Sequence, residues 1–133
     1  MVFGECHFSI QGKPVSLQSS GEAKRRYQEK IKQAVHGYKF IFYRKVSITI
    51  TWYTDVRSRY FTDSSNYIDN IIKQIIDAII GKEGLLIDDC QVQHVQCYWL
   101  DVPHGEEEYV DVCVQSLYGT NEYTIDEQHV CFF

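Results

Sequence analysis

The spacing of hydrophobic residues along the chain changes between two periods, which predicts a domain of mixed helix and strand. From Val46 to Tyr53, apolar residues alternate with Ser, Thr and Tyr, a period of two that is typical of a strand with one buried face. From Ile68 to Ile80, seven isoleucines follow the i, i+3, i+4, i+7 spacing of an amphipathic helix. A strand would place Ile71 and Ile72 on opposite faces, so a helix accounts for more of the pattern.

Shorter patterns predict the remaining elements. A basic helix is predicted from Glu22 to His36, with Ser19 or Ser20 as its N-terminal cap. Three further strands are predicted, from Phe3 to Ile10, Gln91 to Leu100 and Tyr109 to Leu117. The polar connection between the last two strands predicts an antiparallel hairpin. The predicted fold class is therefore α+β: a single domain, residues 1–133, with a small mixed or antiparallel β-sheet and two main α-helices.

Composition limits the class of protein further. A chain of 133 residues with 44% hydrophobic and 23% charged residues is long enough for one domain with a packed core. No apolar run approaches the roughly 18 residues that span a bilayer, and no basic flank precedes an apolar stretch at the N-terminus, so we expect a cytoplasmic protein. The five Cys residues are scattered and contain no C-x-x-C pair, which predicts buried free thiols rather than disulfides or a structural zinc site.

The net charge of −5 conceals an uneven distribution of charge along the chain. All thirteen Lys and Arg residues lie at or before Lys82, so residues 1–82 carry a net charge of +6 and residues 83–133 a net charge of −11. DNA responds to local potential rather than to net charge, and a basic surface formed by the first part can follow a phosphate backbone. The alternative is that the two parts fold together and their charges form ordinary solvated surface.

Carboxylates occur at two places that suit metal-dependent chemistry. Asp69, Lys73 and Asp77 share the polar face of the isoleucine-rich helix, and Asp88 and Asp89 precede the next strand. Paired carboxylates suit Mg²⁺, which takes a few acidic oxygens and keeps waters that a phosphate can replace. Spacing alone also allows a second interpretation, in which Asp69 and Lys73 form a surface pair worth about 0.3 to 0.5 kcal/mol and the acidic pair forms a turn.

The same residues resemble the RusA family of Holliday-junction resolvases. That family has the pattern D-x-D-N-x-x-K-x-x-x-D-x-L, followed after a short gap by D-D-x-Q-V. The residues that match it are Asp69, Asn70, Lys73, Asp77, Asp88, Asp89, Gln91 and Val92. A strand, a loop with Gly12 and Pro14, a basic helix and an alternating strand precede the motif. The resemblance implies one RusA-like domain.

The resemblance also implies a function and roles for particular residues. It implies a structure-selective endodeoxyribonuclease that resolves four-way DNA junctions, acting as a homodimer by Mg²⁺-dependent phosphodiester hydrolysis, with Mn²⁺ as a substitute ion. Two symmetric cuts need two active sites related by a two-fold axis, which fits a dimer. Asp69 and Asp89, supported by Asp88, are the implied metal ligands, and Lys73 completes the implied catalytic set by stabilising charge on the phosphate.

The chain departs from the family pattern at two places. The first Asp of the family pattern is Tyr67 here, and a phenol whose pKa is about 10 is a poor Mg²⁺ ligand. Asp63 is a candidate replacement. The loop after the first strand lacks the expected Arg, which leaves as predicted DNA contacts Lys13, Lys24, Arg25, Arg26 and Lys73. Tyr67 therefore favours, as an alternative, a module that binds branched DNA through a degenerate site, and a third alternative is a domain whose acidic last part binds a basic protein.

Overall fold

The computed structural model describes residues 4–15, 20–36, 38, 40–55, 67–81, 84–103, 105–117, 121–125 and 128–132, and only the backbone of residues 40–41, 67–70, 121–125 and 128–132. Within these ranges the elements are β1 (Glu5–Gln11), α1 (Gly21–Val35), β2 (Phe40–Ile41), β3 (Val46–Thr54), α2 (Tyr67–Ile79), β4 (Val92–Asp101), β5 (Tyr109–Ser116), β6 (Asn121–Ile125) and β7 (Gln128–Phe132). A short 3₁₀ helix, Asp89–Gln91, precedes β4. The predicted α+β class is confirmed.

Four strands form the main sheet, in the order β1-β5-β3-β4. Strand β5 is antiparallel to β1 and to β3, whereas β4 runs parallel to β3. Strands β2, β7 and β6 form a second sheet of three strands. The mixed sheet confirms the prediction, but the predicted hairpin between residues 91–100 and 109–117 is wrong, because β3 lies between β4 and β5.

Strand β3 takes the inner position between β5 and β4 because it buries more of its residues than the other strands of the main sheet do. Every second residue of β3 from Val46 to Thr54 is buried, whereas no residue of β4 is fully buried. The connection between β4 and β5, residues 102–108, needs to cross only two strand spacings of about 4.8 Å each. Seven residues reach that far with ease, so the chain can pass over the end of β3 instead of turning directly back.

Both helices pack against one face of the main sheet. The cap is confirmed at Ser20, whose Oγ accepts a hydrogen bond of 3.1 Å from the backbone N–H of Ala23. The isoleucine-rich helix is also confirmed, because successive turns of α2 bury Ile71, Ile75 and Ile79 in the core. The core includes Tyr27, Ile31, Val35, Ile71, Ile75, Ala78, Ile79, Ile48, Ile50, Trp52, Val110 and Val112. No helix in the described part of the chain is long and apolar enough to cross a membrane.

The other face of the main sheet carries polar side chains that are exposed or half-buried. Alternation along each strand sends these residues away from the core, and the strand register sets them side by side. They include Glu5, His7, Ser9, Thr49, Thr51, Asp111 and Cys113. Most of them line a shallow depression of about 470 Å³. The sheet therefore presents a polar surface opposite the helices.

The cysteines are less uniform than their prediction as buried free thiols. Cys6 is buried on the core face of β1, Cys97 and Cys113 are half-buried, and Cys90 is exposed. The prediction is therefore wrong for Cys90. This residue belongs to the short 3₁₀ helix before β4, which lies at the surface at this position.

Candidate active site

The chain turns sharply after α2 and so returns residues 88 and 89 to the sheet. The carbonyl oxygen of Ile79, at the end of α2, accepts a hydrogen bond of 2.7 Å from the backbone N–H of Leu85. Gly84 passes so close to this carbonyl that a Cβ atom there would collide with it. Gly81 has a φ of 113°, a value that L side chains rarely adopt. Two glycines therefore permit the tight return.

Gln91 holds together the segment of residues 87–91, which we call the acidic turn. Gln91 as a whole residue is 7% exposed. Its Oε1 accepts hydrogen bonds from the backbone N–H groups of Ile87 at 2.7 Å and Asp88 at 2.9 Å. Its Nε2 donates to the carbonyl oxygens of Phe42 at 2.7 Å and Arg44 at 3.0 Å. One buried amide thus fixes the acidic turn against the segment that leads into β3, a structural role that the motif alone did not reveal.

Asp88 and Asp89 are both exposed, but their carboxyl groups differ in environment. Asp88 caps the 3₁₀ helix, and its Oδ1 accepts a hydrogen bond of 2.9 Å from the backbone N–H of Cys90. That backbone hydrogen bond, with help from the Asp89 side chain, lowers the pKa of Asp88. The hydrogen bond with Asp88 and the negative charge of Asp88 raise the pKa of Asp89, and the charge of Asp77 adds to this effect. The two carboxyl groups therefore interact directly.

The polar face of α2 lies near one side of the acidic turn. Lys73 and Asp77 are exposed on this face, and the charge of Asp77 acts on Asp89. Asp69 belongs to the first turn of α2, eight residues before Asp77, a separation of about 12 Å along the helix axis. The side chain of Asp69 lies outside the described residues, as do Asp63 and the side chain of Tyr67. The implied binding of one metal ion by Asp69 and Asp89 therefore stays a prediction.

Two basic residues that the sequence analysis did not select lie beside the acidic turn. Arg44 and Lys45 are exposed, and the Nζ of Lys45 donates a hydrogen bond to the carbonyl oxygen of Cys90. Together with Tyr43, Cys90 and Gln91 they line a groove of about 420 Å³. Two consecutive basic residues directly before a predicted strand were the available signal. A groove with basic side chains next to carboxylates is suited to a phosphate backbone.

The predicted DNA contacts lie on two other segments. Lys13 is exposed in the loop after β1, and α1 carries Lys24, Arg25 and Arg26, of which only Lys24 is half-buried. Arg26 pairs with Glu22 at 2.7 Å, but both side chains are exposed, so this pair contributes little to stability. The buried side chain of Gln74 on α2 donates a hydrogen bond of 3.3 Å to the carbonyl oxygen of Val15. This bond ties the loop of Lys13 to the helix of Lys73.

Comparison with known protein families gave a match to most of the chain. A family model described as endodeoxyribonuclease RusA matches residues 13–115. The matched range includes both helices, three strands of the main sheet and the acidic turn. A search among curated proteins gave no match. The matched range also includes every residue predicted above to act in catalysis or to contact DNA.

Proposed function

Since the chain belongs to the RusA endodeoxyribonuclease family, we propose that it cuts four-way DNA junctions by Mg²⁺-dependent hydrolysis of phosphodiester bonds. Membership of this family implies endodeoxyribonuclease activity. The observation that carries the more specific proposal is the acidic pair, Asp88 and Asp89. Their side chains are exposed, shift each other's pKa and lie in a turn fixed by the buried amide of Gln91.

The chemistry of the acidic pair suits a divalent cation with a preference for oxygen ligands. The charge of Asp88 raises the pKa of Asp89, because the two carboxylates repel each other when both are ionised. A cation bound between them relieves this repulsion. We propose that Asp69, Asp88 and Asp89 hold Mg²⁺, for which Mn²⁺ can substitute. When bound, such an ion polarises a phosphoryl oxygen and lowers the pKa of an attacking water.

The residues around the acidic pair have separate tasks in this proposal. The ammonium group of Lys73, exposed on α2, stabilises the negative charge that gathers on the phosphate during the reaction. Lys13, Lys24, Arg25 and Arg26 contact the DNA backbone, and the groove at Arg44 and Lys45 adds a basic surface next to the carboxylates. Gln91 touches no substrate and acts by positioning the acidic turn.

We further propose that the active form is a homodimer. A four-way junction has two-fold symmetry, and its resolution needs two cuts at related positions. Two identical chains related by a two-fold axis provide two acidic turns in matching orientations. Sedimentation of the protein with and without junction DNA measures this directly, and a complex with a single chain per junction would contradict it.

Cleavage of a labelled four-way junction by the purified protein tests the main proposal. We expect Mg²⁺-dependent cleavage that falls by about 100-fold or more in Asp89→Asn, because one carboxylate ligand is lost. Glu107→Gln is the matched control, since Glu107 is an exposed carboxylate in the connection between β4 and β5, and it should cleave at the wild-type rate. Wild-type protein that leaves junctions intact at all Mg²⁺ and Mn²⁺ concentrations would overturn the proposal.

Tyr67 favours one alternative function, a module that binds branched DNA without cutting it. Under this alternative, junction binding persists in the absence of metal and weakens with added salt. Restoring the family carboxylate with Tyr67→Asp should then produce Mg²⁺-dependent cleavage that the wild-type protein lacks. Cleavage by the wild-type protein would contradict this alternative. If neither the wild-type protein nor Tyr67→Asp cleaves, the loss of this one carboxylate is not the reason for the missing activity.

A further inference from the structure

Three side chains that commonly bind metals meet on the polar face of the main sheet, and we call them the sheet-face cluster: Glu5, His7 and Cys113. The Nε2 atom of His7 lies 2.6 Å from Oε1 of Glu5. The Sγ atom of Cys113 lies 3.2 Å from the same oxygen and 3.6 Å from Nε2 of His7. A nitrogen, an oxygen and a sulfur atom therefore converge on one point.

The register of β1 and β5 brings this cluster together. Glu5 and His7 are two residues apart on β1, so they point to the same face, and Cys113 is the direct partner of His7 on the antiparallel strand β5. The neighbouring residues Cys6 and Phe8 point to the opposite face and are buried in the core. Core packing on one side of β1 thus fixes the positions of Glu5 and His7 on the other side.

The distances agree with a tetrahedral zinc site. Ideal Zn–S and Zn–N bonds place the sulfur about 3.5 Å from each of the other two ligand atoms, and the cluster has 3.2 and 3.6 Å. The largest change needed is in the 2.6 Å between His7 and Glu5, which must lengthen by about 0.7 Å to reach the ideal separation, whereas the 3.2 Å between Cys113 and Glu5 must lengthen by about 0.3 Å. The His7 side chain is 69% exposed, so it has the freedom to move.

We propose that Glu5, His7 and Cys113 bind a zinc-class transition-metal ion, Zn²⁺ or Co²⁺, with a fourth position open to solvent. A thiolate and an imidazole favour such ions over Mg²⁺, which prefers oxygen ligands alone. The open position faces the depression of about 470 Å³ that His7 and Cys113 line. Three protein ligands with one open position are typical of exchangeable or catalytic zinc sites, whereas structural sites usually have four protein ligands.

Binding the ion requires the loss of one proton. Without metal, the Cys113 thiol donates a hydrogen bond of 3.2 Å to Oε1 of Glu5. The metal takes the place of the thiol proton and forms a bond to the sulfur, while the proton passes to buffer. No oxidant or reductant is involved. Metal binding should therefore release a proton that calorimetry in buffers of different ionisation enthalpy can count.

The sheet-face cluster is separate from the acidic turn. Strands β1 and β4 are the two outer strands of the main sheet, about 14 Å apart, and the acidic turn directly precedes β4. The two sites also differ in their ligand atoms. This inference does not depend on the proposed nuclease activity, because its test measures metal binding in the absence of DNA.

Titration of the full chain with Zn²⁺, and with Co²⁺ as a spectroscopic probe, tests the inference. Excess Mg²⁺ in the buffer occupies oxygen-only sites. We expect one Zn²⁺ per chain, and Co²⁺ should give a thiolate-to-metal charge-transfer band. Cys113→Ser should abolish this band and weaken Zn²⁺ binding about 100-fold or more, and Glu5→Gln should weaken binding while keeping the band. Circular dichroism establishes that each variant is folded.

Two matched controls separate the cluster from other cysteines and histidines. Cys97→Ser changes a half-buried thiol of β4, and His94→Asn changes an exposed imidazole on the polar face of the same strand. Both variants should bind Zn²⁺ as the wild-type protein does. Absence of Zn²⁺ binding in the wild-type protein, or binding that Cys113→Ser leaves unchanged, would overturn the inference. Loss of binding in Asp89→Asn with full binding in Cys113→Ser would also overturn it and assign the ion to the acidic turn.

Discussion

The acidic turn and the sheet-face cluster both gather ionisable side chains at the surface, but they assemble them by different routes. The acidic turn takes its two carboxylates from adjacent residues, Asp88 and Asp89, and positions them through the amide of Gln91. The sheet-face cluster joins Glu5 and His7 to Cys113, which is more than a hundred residues away in the chain. Adjacent carboxylates give a site of oxygen ligands, whereas strand register can combine oxygen, nitrogen and sulfur. The two regions are therefore suited to different metals.

The largest expected effect concerns which carboxylate of α2 works with the acidic turn. Asp69 is the ligand implied by the motif, and Asp77 is the residue whose charge acts on Asp89. We expect Asp69→Asn to lower Mg²⁺-dependent junction cleavage by about 100-fold or more, and Asp77→Asn by about 10-fold. Both variants keep the length and shape of the side chain. Cleavage rates over a range of Mg²⁺ concentrations measure the order of the two effects.

The reverse order would change the proposed ligand set. One ion with ligand distances of about 2.1 Å cannot contact two residues that are about 12 Å apart along a helix. If Asp77→Asn is the more damaging variant, the metal site lies at the C-terminal end of α2. Zn²⁺ binding by the sheet-face cluster should be the same in both variants, which makes it an internal control for folding.

The second largest effect should come from Gln91, because it holds the acidic turn but not the sheet-face cluster. Gln91→Ala removes hydrogen bonds to four backbone groups, two N–H donors and two carbonyl acceptors. We expect a loss of about 2 to 4 kcal/mol in the free energy of unfolding and a fall of about 10 °C in Tm. Chemical and thermal denaturation measure this change. Gln96→Ala, an exposed position on β4, should change stability by less than about 0.5 kcal/mol.

Local patterns in the sequence predict the acidic turn and most of the elements that carry it. The isoleucine spacing predicts α2, and alternation predicts β3, because burial on one face leaves a periodic trace in the residues themselves. The motif also predicts Asp88, Asp89 and Lys73 as a candidate site. The motif includes Gln91 but does not predict that this residue positions the acidic turn, since two of its hydrogen-bond partners are backbone groups more than forty residues away in the chain.

Strand order and register are much harder to predict from the sequence. A short polar connection favours a hairpin between β4 and β5, yet β3 pairs with both because its buried face makes it the best central strand. The same limitation applies to the sheet-face cluster. Glu5 and His7 occupy alternate positions of a predicted strand, which is a usable signal, but only the pairing of β1 with β5 identifies Cys113 as their neighbour. Cysteine spacing alone cannot reveal this arrangement.

A smaller effect is expected at Lys73, which tests whether the polar face of α2 and the acidic turn act together. Lys73→Met keeps most of the aliphatic chain and removes the charge. We expect the cleavage rate to fall about 10-fold, because developing charge on the phosphate loses a partner, with a change in junction Kd of about threefold or less. Single-turnover cleavage and binding titrations separate the two quantities.

Lys32→Met provides the control for this variant. Lys32 is an exposed residue in the last turn of α1 and is not one of the predicted DNA contacts. The Lys32→Met variant should cleave junctions and bind them nearly as well as the wild-type protein does, in contrast to Lys73→Met. Equal losses of affinity in Lys73→Met and Lys32→Met, with unchanged cleavage at saturating protein, would assign Lys73 to general electrostatic attraction instead.

The smallest effect distinguishes the two carboxylates of the acidic turn by the sign of their contribution to stability. The pKa of Asp88 is lowered in the folded protein, so its ionised form stabilises the fold above its unfolded pKa, and this contribution is lost as the pH falls through the lowered value. The pKa of Asp89 is raised, so its ionised form destabilises the fold at neutral pH, and this penalty disappears as the pH falls through the raised value.

In metal-free buffer at neutral pH, we therefore expect Asp88→Ala to lower Tm slightly and Asp89→Ala to raise it slightly. Both differences should shrink in acid, and added Mg²⁺ should remove the advantage of Asp89→Ala because the ion relieves the repulsion only when both carboxylates are present. Thermal unfolding from neutral to acidic pH measures these signs, and a fall in Tm for both variants would contradict the proposed asymmetry of the pair.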